Sequence, residues 1–152
     1  MQSRTEKNLM TPDATSALLE RTEVCVLAMT GPYAVPLHYI WHGGKAYVHG
    51  SKKGEKIDAI AADSAVCMTV YEMKNYIVNE PKTACNISTA YESAIVKGTA
   101  AEVTDFDKKK EILYIFADKY HPPLRALDMP KEAIDATILF EITPTCVAGK
   151  QI

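Results

Sequence analysis

Three apolar runs separated by two tight turns constrain this chain more than anything else in it. Val24-Cys-Val-Leu-Ala-Met29 is apolar on both faces, as a buried strand is. Thr30-Gly-Pro-Tyr33 then turns the chain. Ala34 to Trp41 reads as a second strand. Pro36 within it has no N–H to give a ladder, so it belongs at an edge, at a bulge, or where something else approaches the backbone. His42-Gly43-Gly44-Lys45 is a hairpin turn into a third strand over Ala46 to His49. Strands joined this closely run antiparallel, so the chain opens as a meander.

The remaining elements extend that meander. Ile57, Ile60 and Ala61 recur at helical spacing and predict a helix over Gly54 to Ala62. Ala65 to Glu72 is a fourth strand, and Tyr91 to Val103 a long one with a bend or bulge at Gly98. Between them Met73 to Ala90 reads as a long loop, of a length that tends to be functional or to pack on a partner. Phe106 to Tyr120 is the strongest helix, capped by Thr104 or Asp105 and stopped by His121-Pro-Pro123. Residues 124–135 connect to a last strand, Thr137 to Thr143. Ahead of the meander, Thr11-Pro12-Asp13 opens a short helix that ends near Arg21, and residues 1–10 form a flexible arm. The expectation is one domain over 1–152, with about six mostly antiparallel strands that close into a small barrel and so lose their edges.

Composition excludes some partners. A net charge of −2 gives no general drive toward nucleic acid or anionic membranes. No apolar run approaches the roughly 20 residues needed to span a bilayer. The N-terminus lacks the apolar region of a signal peptide, so a cytoplasmic protein is expected. Cys25, Cys67, Cys85 and Cys146 form no Cys-x-x-Cys pair and sit at no zinc-ligand spacing, so no metal site is expected.

One stretch carries chemistry. Gly50-Ser51-Lys52-Lys53-Gly54 leads from the third strand into a helix whose first turn holds Lys56. Free N–H groups and the positive end of the dipole attract anions there, but contribute only about 0.3–1 kcal/mol. Three ammonium groups and a hydroxyl supply further donors. The residues fit either a phosphate site or a solvated basic turn. The order matches neither a P-loop nor a dinucleotide fingerprint.

Four segments in register carry a resemblance. Val35-Pro-Leu-His-Tyr39, Gly43 to Asp58, Tyr91 to Ala100 and Phe116-Ala-Asp-Lys-Tyr-His-Pro122 look like the FMN-binding split-barrel proteins. Within them the chain resembles the nitroimidazole-resistance branch, relatives of pyridoxamine 5′-phosphate oxidase. The resemblance implies a mainly β fold: a six-stranded antiparallel split β-barrel with flanking α-helices, forming a homodimer with FMN at the interface. Carried across by position, Ser51, Lys52, Lys53 and Lys56 would hold the FMN phosphate. Val35, Pro36, Leu37 and His38 would lie along the flavin ring, with Val48 and His49 close to it. His49 is the expected catalytic residue, its plainer role being a histidine that bonds the loop and packs beside the barrel. The implied function is an oxidoreductase that passes electrons from NAD(P)H or another reductant to a small electrophile such as a nitroaromatic or quinone. The alternatives are a flavin carrier or sensor without turnover, or a barrel that holds haem or a deazaflavin. One departure stands out: only Arg4, Arg21 and Arg125 are present, where pyridoxamine phosphate oxidases use arginines for FMN and substrate phosphate. This weighs against oxidation of pyridoxamine phosphate.

Overall fold

The computed structural model describes residues 4–78, 80 and 82–152, with Arg4 and Thr5 described by backbone alone. Residues 1–3 of the expected arm, and Asn79 and Pro81 of the expected loop, lie outside the described residues. The elements are α1 (Arg4–Lys7), α2 (Pro12–Arg21), β1 (Val24–Met29), β2 (Tyr33–His38), β3 (Ile40–His42), β4 (Lys45–Ser51), α3 (Glu55–Ala62), β5 (Ala65–Ile77), β6 (Ser88–Glu102), α4 (Phe106–Tyr120), a 3-10 turn (Pro122–Ala126), α5 (Lys131–Ala136) and β7 (Thr137–Gln151).

Helix starts follow local chemistry. The Thr11 hydroxyl accepts the Ala14 N–H at 3.2 Å, and Asp105 accepts the Lys108 N–H at 2.7 Å. Each satisfies one of the donors that a helix N-terminus leaves open. Residues 8–10 are tied to the end of β7: Met10 N–H donates to Gly149 O at 3.0 Å and Gln151 N–H to Asn8 O at 2.9 Å.

All seven strands form one antiparallel sheet, in the order β2-β1-β5-β6-β7-β4-β3. The two edge strands, β2 and β3, are consecutive in the chain and separated by a single residue, Tyr39. The sheet therefore bends back until its edges meet, which makes a barrel. The expected strand Ala34–Trp41 is in fact two strands, one paired with β1 and the other with β4. This gives seven strands where six were expected.

The corner at Tyr39 has its own bonding. Its ring is fully buried and its hydroxyl donates to Leu19 O at 2.7 Å. Its N–H, which has no strand to pair with, donates to the Tyr120 hydroxyl at 2.9 Å, and that hydroxyl donates to Glu23 O at 2.6 Å. Lys119 Nζ donates to Thr22 O at 2.6 Å and Tyr39 O at 3.2 Å. Side chains of α4 thus supply the bonds that a ladder would have made.

The barrel interior is filled from alternate strand positions: Leu27, Val48, Met68, Val96, Phe140 and Ile142, among others. Outside it, α4 lays Ile112 and Phe116 on Ile40, Tyr47 and Leu139. Gly98 is at a register shift, and a Cβ there would collide with the Thr143 backbone. The bend expected at this glycine is thus required by backbone contact. Two further expectations fail. The expected loop Met73–Ala90 is a ribbon at both its ends, since β5 continues to Ile77 and β6 begins at Ser88, with Tyr76 opposite Thr89. The last strand runs on to Gln151 rather than stopping at Thr143. In both places cross-strand pairing overrides weak local preference.

Candidate functional site

β2 pairs with β1 on one side only, and no ladder joins it to β4. As an edge strand it accommodates Pro36 without losing a bond, and its register against β1 runs unbroken through Val26 and Pro36. The split left between β2 and β4 is a cleft of about 210 Å³. Tyr33, Val35 and Leu37, the half-buried alternate residues of β2, form one wall. Ser51, Lys53, Gly54, Glu55 and Lys56 form the other.

Helix α3 begins at this second wall. Its N-cap is Gly54, whose φ of +125° is open to glycine and strained for other residues, and no side chain caps the helix. Ile57 N–H already donates to Gly54 O at 2.9 Å, so the N–H groups ahead of it, those of Glu55 and Lys56, are the ones left for an anion. Lys56 reaches from that turn across Gly50, where a Cβ would stand 2.9 Å from its Nζ. The ammonium occupies space that exists because residue 50 has no side chain. Its hydrogen bond is long, 3.5 Å to His49 O. Burial holds Lys56 below the ordinary lysine pKa, although Cys25 pulls the other way. Among the described residues neither Lys53 nor Lys56 forms an ion pair with a carboxylate. A half-desolvated ammonium with one weak acceptor, beside an uncapped helix end, favours a phosphate oxygen.

The expected site residues do not all meet there. Val35, Leu37, Ser51, Lys53 and Lys56 line the cleft. Lys52 does not line it. Pro36 is exposed, and Val48 is fully buried in the barrel interior with no surface to offer. His38 and His49 line a different cavity, a groove of about 480 Å³ between the barrel and α4, the 3-10 turn and α5. There the His49 ring meets the Phe116 ring edge-on at 4.5 Å and the His38 ring meets Tyr120 at 4.7 Å. Desolvation beside the helix, and secondarily the charges of Lys56 and His38, hold His49 below the ordinary imidazole pKa. His121, Leu124 and Met129 complete the groove. None of the three is among the expected site residues, although His121 lies in the segment Phe116 to Pro122 that carries the resemblance.

A family model described as pyridoxamine 5′-phosphate oxidase matches residues 11–151. The flavocytochrome Anf3 from Azotobacter vinelandii superposes with a TM-score of 0.87 at 21% identity, over 99% of this chain and 72% of that one. A FAD and heme binding protein from Mycobacterium smegmatis gives 0.83 at 20%, over 93% and 71%. A protein from Bacteroides thetaiotaomicron named for 5-nitroimidazole antibiotic resistance gives 0.78 at 19%, over 93% and 85%. At these identities the likeness carries the fold alone, and it is the split barrel expected from the sequence. No protein of curated function matches the chain.

Proposed function

The chain belongs to the pyridoxamine 5′-phosphate oxidase family, and on that premise we propose that it is a flavoprotein that binds FMN and acts as an oxidoreductase. The observation that carries this reading is the Lys56 ammonium, lying over Gly50 at the head of an uncapped helix. The residues fit the cofactor's phosphate end. Lys53 and Lys56 supply charge, Ser51 a hydroxyl, and α3 its free N–H groups. Val35 and Leu37 give the adjoining wall an apolar surface for the ribityl chain and ring edge. When bound, the flavin supplies the redox chemistry, accepting hydride from a donor such as NAD(P)H and passing electrons to a small electrophile. The protein's part is to hold the phosphate, orient the ring along β2 and exclude water from the split. Structural relatives named as a flavocytochrome and as a FAD and heme binding protein support a flavin.

The same reading includes a homodimer. Val24 and Val26 of β1, Tyr71 and Met73 of β5 and Ile95 of β6 are exposed apolar residues on the outer sheet. The register puts Val26, Thr69 and Ile95 in one row across three strands. A second copy that covers this face would remove it from water. Analytical ultracentrifugation tests this: a species of twice the chain mass is expected, and a monomer at high micromolar concentration would exclude it.

Titration of the purified chain with FMN, followed by flavin fluorescence, tests the main reading. Saturable quenching at one flavin per chain is expected, and no binding would end the proposal. Anaerobic mixing of the loaded protein with NADH or NADPH then separates an enzyme from a carrier. Rapid bleaching of the flavin band marks the enzyme.

A further inference from the structure

The groove beneath α4 differs in kind from the phosphate cleft. No lysine, arginine or carboxylate lines it. At about 480 Å³ it falls within the range of small-molecule sites. Leu113, Phe116, Leu124 and Met129 give it an apolar wall. Three imidazoles also line it: His38 from β2, His49 from β4 and His121 from just beyond α4. The rings of His38 and His49 are held edge-on to two aromatic rings of α4, Tyr120 at 4.7 Å and Phe116 at 4.5 Å. Among the described residues no ring nitrogen of the three histidines has a hydrogen-bond partner.

That lining narrows the ligand. An ion entering the groove would lose its water without meeting an opposite charge, so the occupant is uncharged. The Tyr120 hydroxyl donates to Glu23 O at 2.6 Å and the Thr137 hydroxyl to Ala133 O at 2.9 Å. With both protons committed, the imidazoles are the side-chain donors left to a ligand. A neutral imidazole offers one N–H and one acceptor nitrogen. A carbonyl or hydroxyl oxygen on the ligand's edge takes up those N–H groups, while a flat aromatic body covers the apolar and aromatic wall.

We propose that the groove is a ligand site, separate from the flavin cleft, for an uncharged aromatic compound with a carbonyl or hydroxyl oxygen, which the His38 and His49 imidazoles bond together. Each strand flanking the split contributes one of that pair. The two cavities share no lining residue, so this site does not rest on the flavin reading.

Titration of the purified, flavin-free chain with Prodan tests this. Prodan is an uncharged naphthyl ketone whose emission moves to the blue in an apolar site. At pH 8, above the ordinary imidazole range, a blue-shifted signal that saturates at one equivalent per chain is expected. Acetylnaphthalene should displace it at least tenfold more effectively than naphthoate, which has the same ring system and a negative charge. Naphthalene, which has the ring system and no oxygen, should be several-fold weaker than acetylnaphthalene. In His38→Ala/His49→Ala that last difference should vanish while the far-UV circular dichroism matches the parent's, which a purely structural role for the pair would not produce. Ala133→Trp, at an exposed helix position on the groove wall, should weaken Prodan at least tenfold and decides the matter if the double variant does not fold. Lys53→Ala/Lys56→Ala should bind Prodan like the parent, so a failed flavin site leaves the result intact. A signal that never saturates overturns the proposal. So does naphthoate competing as well as the ketone, a preference for the ketone that survives in the folded double variant, Prodan affinity unchanged in Ala133→Trp, or displacement of Prodan by FMN.

Discussion

The cleft and the groove flank the same two strands, yet they are built by opposite means. The cleft takes its walls from two short stretches of chain: alternate positions of β2, and Ser51 with Lys53 to Lys56. The groove gathers side chains from β2, β4, α4, the 3-10 turn, α5 and the start of β7. One offers charge and helix-end N–H groups, and the other offers aromatic rings, aliphatic walls and imidazoles. A single barrel thus presents an anion site and an apolar site within reach of each other, with His49 in contact with both.

The strongest test of that contrast is Lys53→Ala/Lys56→Ala. Each charge-assisted hydrogen bond to phosphate contributes about 1.5–3 kcal/mol. Losing both should weaken FMN by roughly two orders of magnitude or more, with the melting temperature little changed. Equal FMN affinity in the double variant would mean that the cleft is not the phosphate site.

Tyr120→Phe comes next and acts at the corner beside the groove. It leaves the Tyr39 N–H and Glu23 O without their side-chain partner. The cost should be about 1–3 kcal/mol of stability, visible as a lower urea midpoint at unchanged slope. A midpoint equal to the parent's would show that the corner closes without this hydroxyl.

Gly50→Ala is smaller and confined to the cleft. The new methyl group meets only the flexible end of Lys56, so the fold should hold while the ammonium is displaced. FMN affinity should fall by about 1 kcal/mol, roughly fivefold. If affinity rises, Lys56 does not act from over Gly50.

The mildest effect is a pH dependence on the groove side. The folded chain keeps His49 below the ordinary value of 6.5, so between the two values the unfolded chain binds more protons. Its contribution to stability is complete above the ordinary value and declines as pH falls toward the folded one. His49→Gln should flatten that acid limb in denaturant titrations across pH 5 to 8. A limb of unchanged shape would assign the protonation elsewhere.

What the sequence made legible follows the same division. Thr11 at a helix start, Gly54 before α3, the Gly98 bend and the basic turn are local features, and each takes the place its chemistry required. The break at Tyr39 was hidden because Ala34 to Trp41 is continuous in strand character. Only the partner strands, β1 for one half and β4 for the other, divide it. The extension of β5 and β6 was masked by Asn75 and its polar neighbours, which pairing with Tyr91 to Ser88 holds in the ribbon. The groove was hidden for a different reason. Leu113 and Phe116 satisfy a helical apolar stripe whether they face a core or a cavity, and periodicity cannot tell the two apart.

The single-residue corner at Tyr39 has a consequence for how this scaffold can change. The turn from β2 into β3 is held by a latch of side chains, those of Lys119 and Tyr120, and not by a zipper of peptide bonds. The set of that corner can therefore be altered by substitution at two helical positions, with every strand pair kept intact.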